Sequence, residues 1–158
     1  EIDDQTSLHR ISATTERILM TFTSTTIGSA IVYAQEKLDI NDGANLLSAQ
    51  ICGGGRLTVS SGGIASNIEV LSAGAVHVYA GGQLVLPRIH RDGSVVVHDG
   101  GLVKGVALNG GTLVVENQGS AHIAAYNQGT ITKHNSGVII LGGVRIAPKE
   151  KEDDQESF

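Results

Sequence analysis

Three side chains that can bind protons or metal ions recur at one spacing along the chain: His98, Glu116 and His134 lie eighteen residues apart. If successive segments of that length stack as strands about 4.8 Å apart, the three residues form a ladder on one outer face. Such a ladder could raise the histidine pKa values or hold a Zn²⁺ ion, with water completing its coordination. The position abuts a turn rather than a closed pocket. An ordinary surface ladder is therefore the favoured interpretation, and no cofactor is predicted.

The carboxylates do not form a convergent acid pair. β-Solenoid enzymes that cleave polysaccharides need two or three acids on one face, often with Ca²⁺ or a nearby base. Asp42 and Asp99 fall at one turn position but three repeats apart, roughly 14 Å. The other carboxylates occupy different positions: Asp39, Glu69, Asp92 and Glu116. We therefore predict no catalytic residue, and a polysaccharide-active enzyme is only a remote alternative.

A repeat of 18–19 residues would position these side chains. Copies begin at 36, 55, 74, 93, 111 and 129, and five of the six begin with glycine. Their third and fifth positions are apolar, except at Lys133, and mostly polar residues lie between them. The third position holds Leu38, Leu57, Val76, Val95, Leu113 and Ile131; the fifth holds Ile40, Val59, Val78, Val97 and Val115. This alternation indicates a strand with one buried face.

A single repeat buries too little apolar surface to offset the entropy of ordering its backbone. Stacked copies bury one another, because each strand bonds to the turns above and below it. Residues 36–146 are therefore predicted to form an all-β, single-stranded parallel β-solenoid of about six turns. A third inward position in each repeat includes Tyr126.

The flanking segments differ from the repeats. Residues 1–35 are predicted to be an N-terminal cap or extension, because apolar residues near helical spacing at 6–22 favour a short helix or irregular cap. Residues 147–158 are charged and are predicted to be an acidic, disordered tail.

Composition excludes several classes of protein. The net charge is −5 and the 11 basic residues are scattered, which argues against nucleic-acid binding. The single cysteine, Cys52, excludes an internal disulfide framework, and no apolar run is long enough for a transmembrane helix. His77 and His90 fall at other repeat positions and are expected to face outward.

Three consecutive segments carry a family signature: GRLTVSSGGIASN at 55–67, GAVHVYAGG at 74–82 and GSVVVHDGG at 93–101. The repeat region resembles the AIDA-type repeats of self-associating autotransporter passenger domains. That resemblance implies a right-handed β-helix displayed on a bacterial surface, which mediates adhesion and cell–cell aggregation. It also implies heptose on serine and threonine in some members, for which the nearest positions are Thr58, Ser60, Ser61, Ser66 and Ser72.

The leading functional hypothesis is a non-catalytic interaction module that binds a protein partner, a cell surface or itself, and is secreted or displayed on a bacterial surface. Two departures from the family keep an alternative open: the chain carries an acidic tail in place of an outer-membrane barrel, and no convincing export signal precedes the repeats. The alternative is a small effector or scaffold, cytoplasmic or delivered into a host cell, that uses the solenoid to bind a partner.

Overall fold

The computed structural model describes residues 18–23, 26–141 and 144–145, and the regular elements in these ranges are strands. In chain order they are β1 (Ile18–Thr23), β2 (Thr26–Ile27), β3 (Ala30–Val32), β4 (Glu36–Asn41), β5 (Asn45–Leu46), β6 (Ala49–Ile51), β7 (Arg56–Val59), β8 (Ile64–Ser66), β9 (Ile68–Val70), β10 (Ala75–Val78), β11 (Gln83–Val85), β12 (Arg88–His90), β13 (Ser94–Val97), β14 (Leu102–Val115), β15 (Ser120–Lys133), β16 (Val138–Leu141) and β17 (Val144–Arg145). None of the described residues belongs to a helix long and apolar enough to cross a membrane.

Strands β1 to β16 stack in three parallel ladders, and each of them pairs with the equivalent strand of the next coil, whereas β17 pairs antiparallel with β16. Ladder A runs through β1, β4, β7, β10 and β13 and then the last residues of β14 and β15. Ladder B runs through β2, β5, β8 and β11, the first residues of β14 and β15, and β16. Ladder C runs through β3, β6, β9 and β12 into the middle of β14 and β15. The chain is therefore a single-stranded parallel β-solenoid of about six turns, which confirms the predicted fold class.

The core is a column of aliphatic side chains enclosed by the three ladders. Third-position and fifth-position residues of ladder A are fully buried, for example Leu57, Val59, Val76 and Val78. Each lies directly above its counterpart, since Val76 pairs with Leu57 and Val78 with Val59. Stacking of like residues removes their apolar surface from water on both sides, at about 25 cal/mol per Å². The predicted inside and outside positions of this strand are therefore confirmed.

Two turn features depend on backbone geometry. A Cβ atom at Gly82 would lie 2.6 Å from the carbonyl oxygen of Val59 in the coil below, so this turn accepts no side chain without a shift. At the corner between ladders B and C, Asn67 and Leu86 both adopt positive φ, 53° and 57°. Asparagine tolerates this left-handed conformation, whereas leucine rarely adopts it. Leu86 is also 53% exposed, so burial does not offset the strain.

The N-terminal segment differs from the helix or irregular cap predicted for 6–22. Residues 18–22 belong to β1, which pairs in parallel register with β4, and β2 and β3 continue the ladders toward 35. The helical prediction was wrong for these residues, because Ile18, Met20 and Phe22 also alternate with a period of two and the next coil offers a strand to pair with. Residues 6–17 and the predicted tail at 147–158 lie outside the described residues.

Val78→Asp should lower the free energy of unfolding by about 3 kcal/mol or more, because the carboxylate would be buried between two filled coils. Val96→Asp is the matched control, since Val96 points to the opposite face of the adjacent strand and is only half-buried. Urea unfolding followed by circular dichroism measures both. Equal stability of the two variants would contradict the assignment of inner and outer faces.

Leu86→Asn should stabilise the protein by about 1 kcal/mol, because asparagine adopts the left-handed conformation with less strain. The reverse change one coil below, Asn67→Leu, should destabilise it by a similar amount and also removes the hydrogen bond from Asn67 Nδ2 to the Leu47 carbonyl, 3.3 Å. Thermal and urea unfolding of both variants provide the comparison. The opposite order of stabilities would show that the φ angle does not govern this corner.

Candidate functional site

The sixth residue of each repeat lies where ladder A ends and the turn begins: Asn41 is the last residue of β4, and the other five directly follow their strands. From one end to the other, this turn-side column holds Asn41, Ser60, Tyr79, His98, Glu116 and His134. The backbone N–H groups of the last five members each donate to a carbonyl of the preceding coil. Because these bonds repeat at every coil, the side chains are held as successive rungs, about 4.8 Å apart.

Tyr79 and His98 are stacked rungs of the turn-side column. Their ring centroids are 4.3 Å apart and their planes differ by 2°. Such contacts between flat rings add to stability beyond the area that they bury. Tyr79 nevertheless remains 36% exposed.

His98 also joins two other side chains in a hydrogen-bonded chain. Its Nδ1 lies 2.9 Å from Glu116 Oε1, and its Nε2 lies 2.9 Å from Nδ1 of His77, in β10. Two arrangements of protons satisfy both contacts. In each, His98 Nδ1–H donates to the carboxylate, and the proton between the rings lies on His77 Nδ1 or, when His98 is charged, on His98 Nε2. Both imidazoles cannot be charged at these distances, because two N–H groups would then face each other.

Burial lowers the pKa of His77 to about 4, and the positive charges of Arg56 and His98 act in the same direction. The Glu116 carboxylate opposes this effect but does not overcome it. His77 is therefore uncharged at neutral pH.

The structure brings together two of the three residues that the sequence singled out. His98 and Glu116 are in contact, whereas the exposed side chain of His134 makes no polar contact with other described residues. Sequence reasoning missed Tyr79 and His77. Tyr79 occupies the same repeat position, but a search for metal ligands passes over tyrosine; His77 lies two residues earlier, on the same face of the chain. Within the described ranges, no three His, Cys, Asp or Glu side chains converge as a metal site.

A shallow open trough of about 530 Å³ runs along this corner of the solenoid. The turn residues that follow the column complete its walls, so that Asp42 and Asp99, three coils apart, line the same trough. No lysine or arginine is among its lining residues, which are Asn41, Asp42, Ser60, Ser61, Tyr79, Ala80, His98, Asp99 and Glu116. The trough is therefore lined by acidic residues and by the two stacked rings of Tyr79 and His98, and it is open to solvent.

The parallel ladders and the outward column define a class of protein: a β-solenoid whose repeated aliphatic positions face the inside and whose differing side chains lie along its corners. No protein-family model matches the chain, and no curated protein matches it significantly. Among solved structures, it is similar to a hyper-glycosylated fragment of TibA, whose glycosylation is catalysed by TibC. TibA is an AIDA-like autotransporter adhesin, a non-enzymatic class.

The similarity to the TibA fragment has a TM-score of 0.65 at 28% sequence identity and covers 77% of this chain. It covers 43% of the fragment, so the chain spans less than half of the structure that it matches. This likeness supports the AIDA-type passenger fold and an adhesin-like module.

The depressed pKa of His77 predicts a loss of stability in acid. Unfolded His77 takes up a proton near pH 6.5, whereas the folded protein resists protonation until about pH 4. The contribution of His77 to the free energy of unfolding is therefore complete above about pH 6.5. It is lost as the pH drops toward 4, and amounts to about 1–2 kcal/mol after allowance for solvent screening.

The unfolding free energy of the wild type minus that of His77→Asn should decrease as the pH falls from 6.5 to 4, because only the wild type loses the contribution of His77. Carboxylate titration is common to both proteins and cancels in the difference. His134→Asn is the control for replacing a histidine with asparagine, since the His134 ring makes no polar contact with other described residues. Urea unfolding at intervals between pH 7 and pH 4 measures how the free energy of unfolding of each of the three proteins changes with pH. Parallel curves for wild type and His77→Asn would contradict the assignment.

Proposed function

We propose that the protein is a non-catalytic, adhesin-like interaction module that acts at a bacterial surface or after secretion, and that it self-associates through the ends of its solenoid. The observation that carries this proposal is the open edge of β15. Only residues 120–123 of β15 pair with β16, and no other described strand covers residues 124–133 on that side.

The open edge offers both backbone and apolar groups. Residues 124–128 are exposed, and Ile131 packs against the core while remaining only partly buried. Tyr126, predicted to face inward, is 48% exposed because no described strand lies above it. Parallel strands with unpaired N–H and C=O groups are templates for a further strand. A second copy that places its first coil on this edge would continue ladders A and C, because β17 already covers the free edge of β16 in ladder B. Each added copy would present the same edge again.

Similarity to the TibA adhesin fragment supports an adhesin-like role and does not favour an intracellular effector or a polysaccharide-active enzyme. It also makes glycosylation a reasonable part of the proposal. Of the five positions suggested by the repeat resemblance, Ser72 is an exposed turn residue that does not line the trough, so a glycan there would meet the least steric hindrance.

The test is sedimentation velocity over a wide concentration range, comparing the wild type with Ile131→Lys and Thr132→Lys. The wild type should form open-ended assemblies that grow with concentration. Ile131→Lys should weaken association at least a hundredfold, because the ammonium group would be buried without a partner between two copies. Thr132→Lys adds the same charge to the outer face of the adjacent position and should associate nearly as well as the wild type.

A wild type that stays monomeric at every concentration would contradict self-association through the end. Equal weakening by both lysine variants would instead attribute association to overall charge, and loss of the strand signal in circular dichroism would identify a variant that fails to fold.

A further inference from the structure

The stacked rings of the turn-side column end abruptly at Tyr79. One ring face lies against His98, at 4.3 Å. On the opposite side, the next rung is Ser60, which has only a hydroxymethyl group, and the rung after it is Asn41. Two coil spacings separate Tyr79 from Asn41, about 9.6 Å. That distance leaves room above Ser60 for one ring in contact with the uncovered face of Tyr79.

The polar groups around this gap are mainly hydrogen-bond acceptors. Asn41 Oδ1 is buried and has no hydrogen-bond partner, and Asn41 lines the trough. An unsatisfied buried acceptor is costly, and rotation of the Asn41 amide toward the trough would let a ligand donor remove that cost. Asp42, Asp99 and Glu116 add carboxylate oxygens to the same walls, which contain no lysine or arginine. The trough therefore favours a ligand rich in hydroxyl donors and disfavours an anion.

We infer that the trough binds a hexopyranose unit of a non-anionic glycan, seated in the gap above Ser60. The apolar C–H face of the sugar ring packs on Tyr79, and its hydroxyl groups donate to Asn41 Oδ1 and to the trough carboxylates. The open ends of the trough let a linear chain of sugars continue along the corner. This inference deepens the proposed function, on which it rests, by naming a class of surface ligand for the adhesin-like module.

The experiment is an NMR titration of the full chain with two neutral tetrasaccharides, one of β-linked glucose and one of β-linked N-acetylglucosamine. We expect at least one to shift the signals of Tyr79 and Asn41, with millimolar or tighter affinity. A tetrasaccharide of galacturonic acid, which is anionic, should bind at least tenfold more weakly, as like charges repel.

Two variants remove the gap in different ways. Tyr79→Ala removes the ring face, and Ser60→Tyr fills the gap with a ring while leaving every other trough residue in place. Each should weaken glycan binding at least tenfold. Ser60→Tyr should also unfold at a temperature no lower than the wild type, because the new ring extends the existing stack. Leu86→Asn, at a different corner, should bind like the wild type.

Several results would overturn the inference: no binding of either neutral glycan at ten millimolar, or binding that survives in both Tyr79→Ala and Ser60→Tyr. Tighter binding of a trilysine peptide than of either glycan would assign the trough to cationic ligands instead. The proposed self-association is tested separately, because Ser60→Tyr should sediment like the wild type, whereas Ile131→Lys should not associate but should still bind the glycan.

Discussion

Parallel pairing between successive coils is the constraint on which the rest of this structure depends. In the three ladders each strand bonds to its equivalents one coil away, so every repeat position becomes a column and every column must tolerate stacking at about 4.8 Å. Inside, this favours valine, isoleucine and leucine placed over one another, as at Leu57 and Val76. At the turns it excludes a Cβ atom where a carbonyl of the neighbouring coil lies close, as at Gly82.

The same constraint gives the outer face its chemistry. Residues far apart in sequence become neighbours when they share a column, which is how His98 reaches Glu116 and stacks on Tyr79. A column can also carry a gap, because a small residue such as Ser60 interrupts the outer stack without disturbing the core. The interior thus fixes the positions of the outer rungs, while their side chains are free to vary and to define a binding surface.

Both inferred interactions occur where the repeating geometry lacks a partner for a strand or for a ring. The edge of β15 lacks a described partner along residues 124–133, and the outer stack lacks a ring above Ser60. Similarity to the TibA fragment, at 28% identity, supports a β-solenoid adhesin-like module. The two sites lie on different parts of the solenoid, at its end and along its corner, so one can be blocked while the other remains.

The sequence by itself determined the coil period, the buried face of ladder A and the contact between His98 and Glu116, because a repeat specifies its own neighbours. It could not place β1, since residues 18–22 fit both a helical and an alternating pattern until a strand at 36–41 is available to pair with. Only the tertiary structure brought His77 to His98, because that contact is diagonal between neighbouring columns and depends on side-chain direction. The trough likewise required the turns of several coils to be assembled in space, which no single repeat encodes.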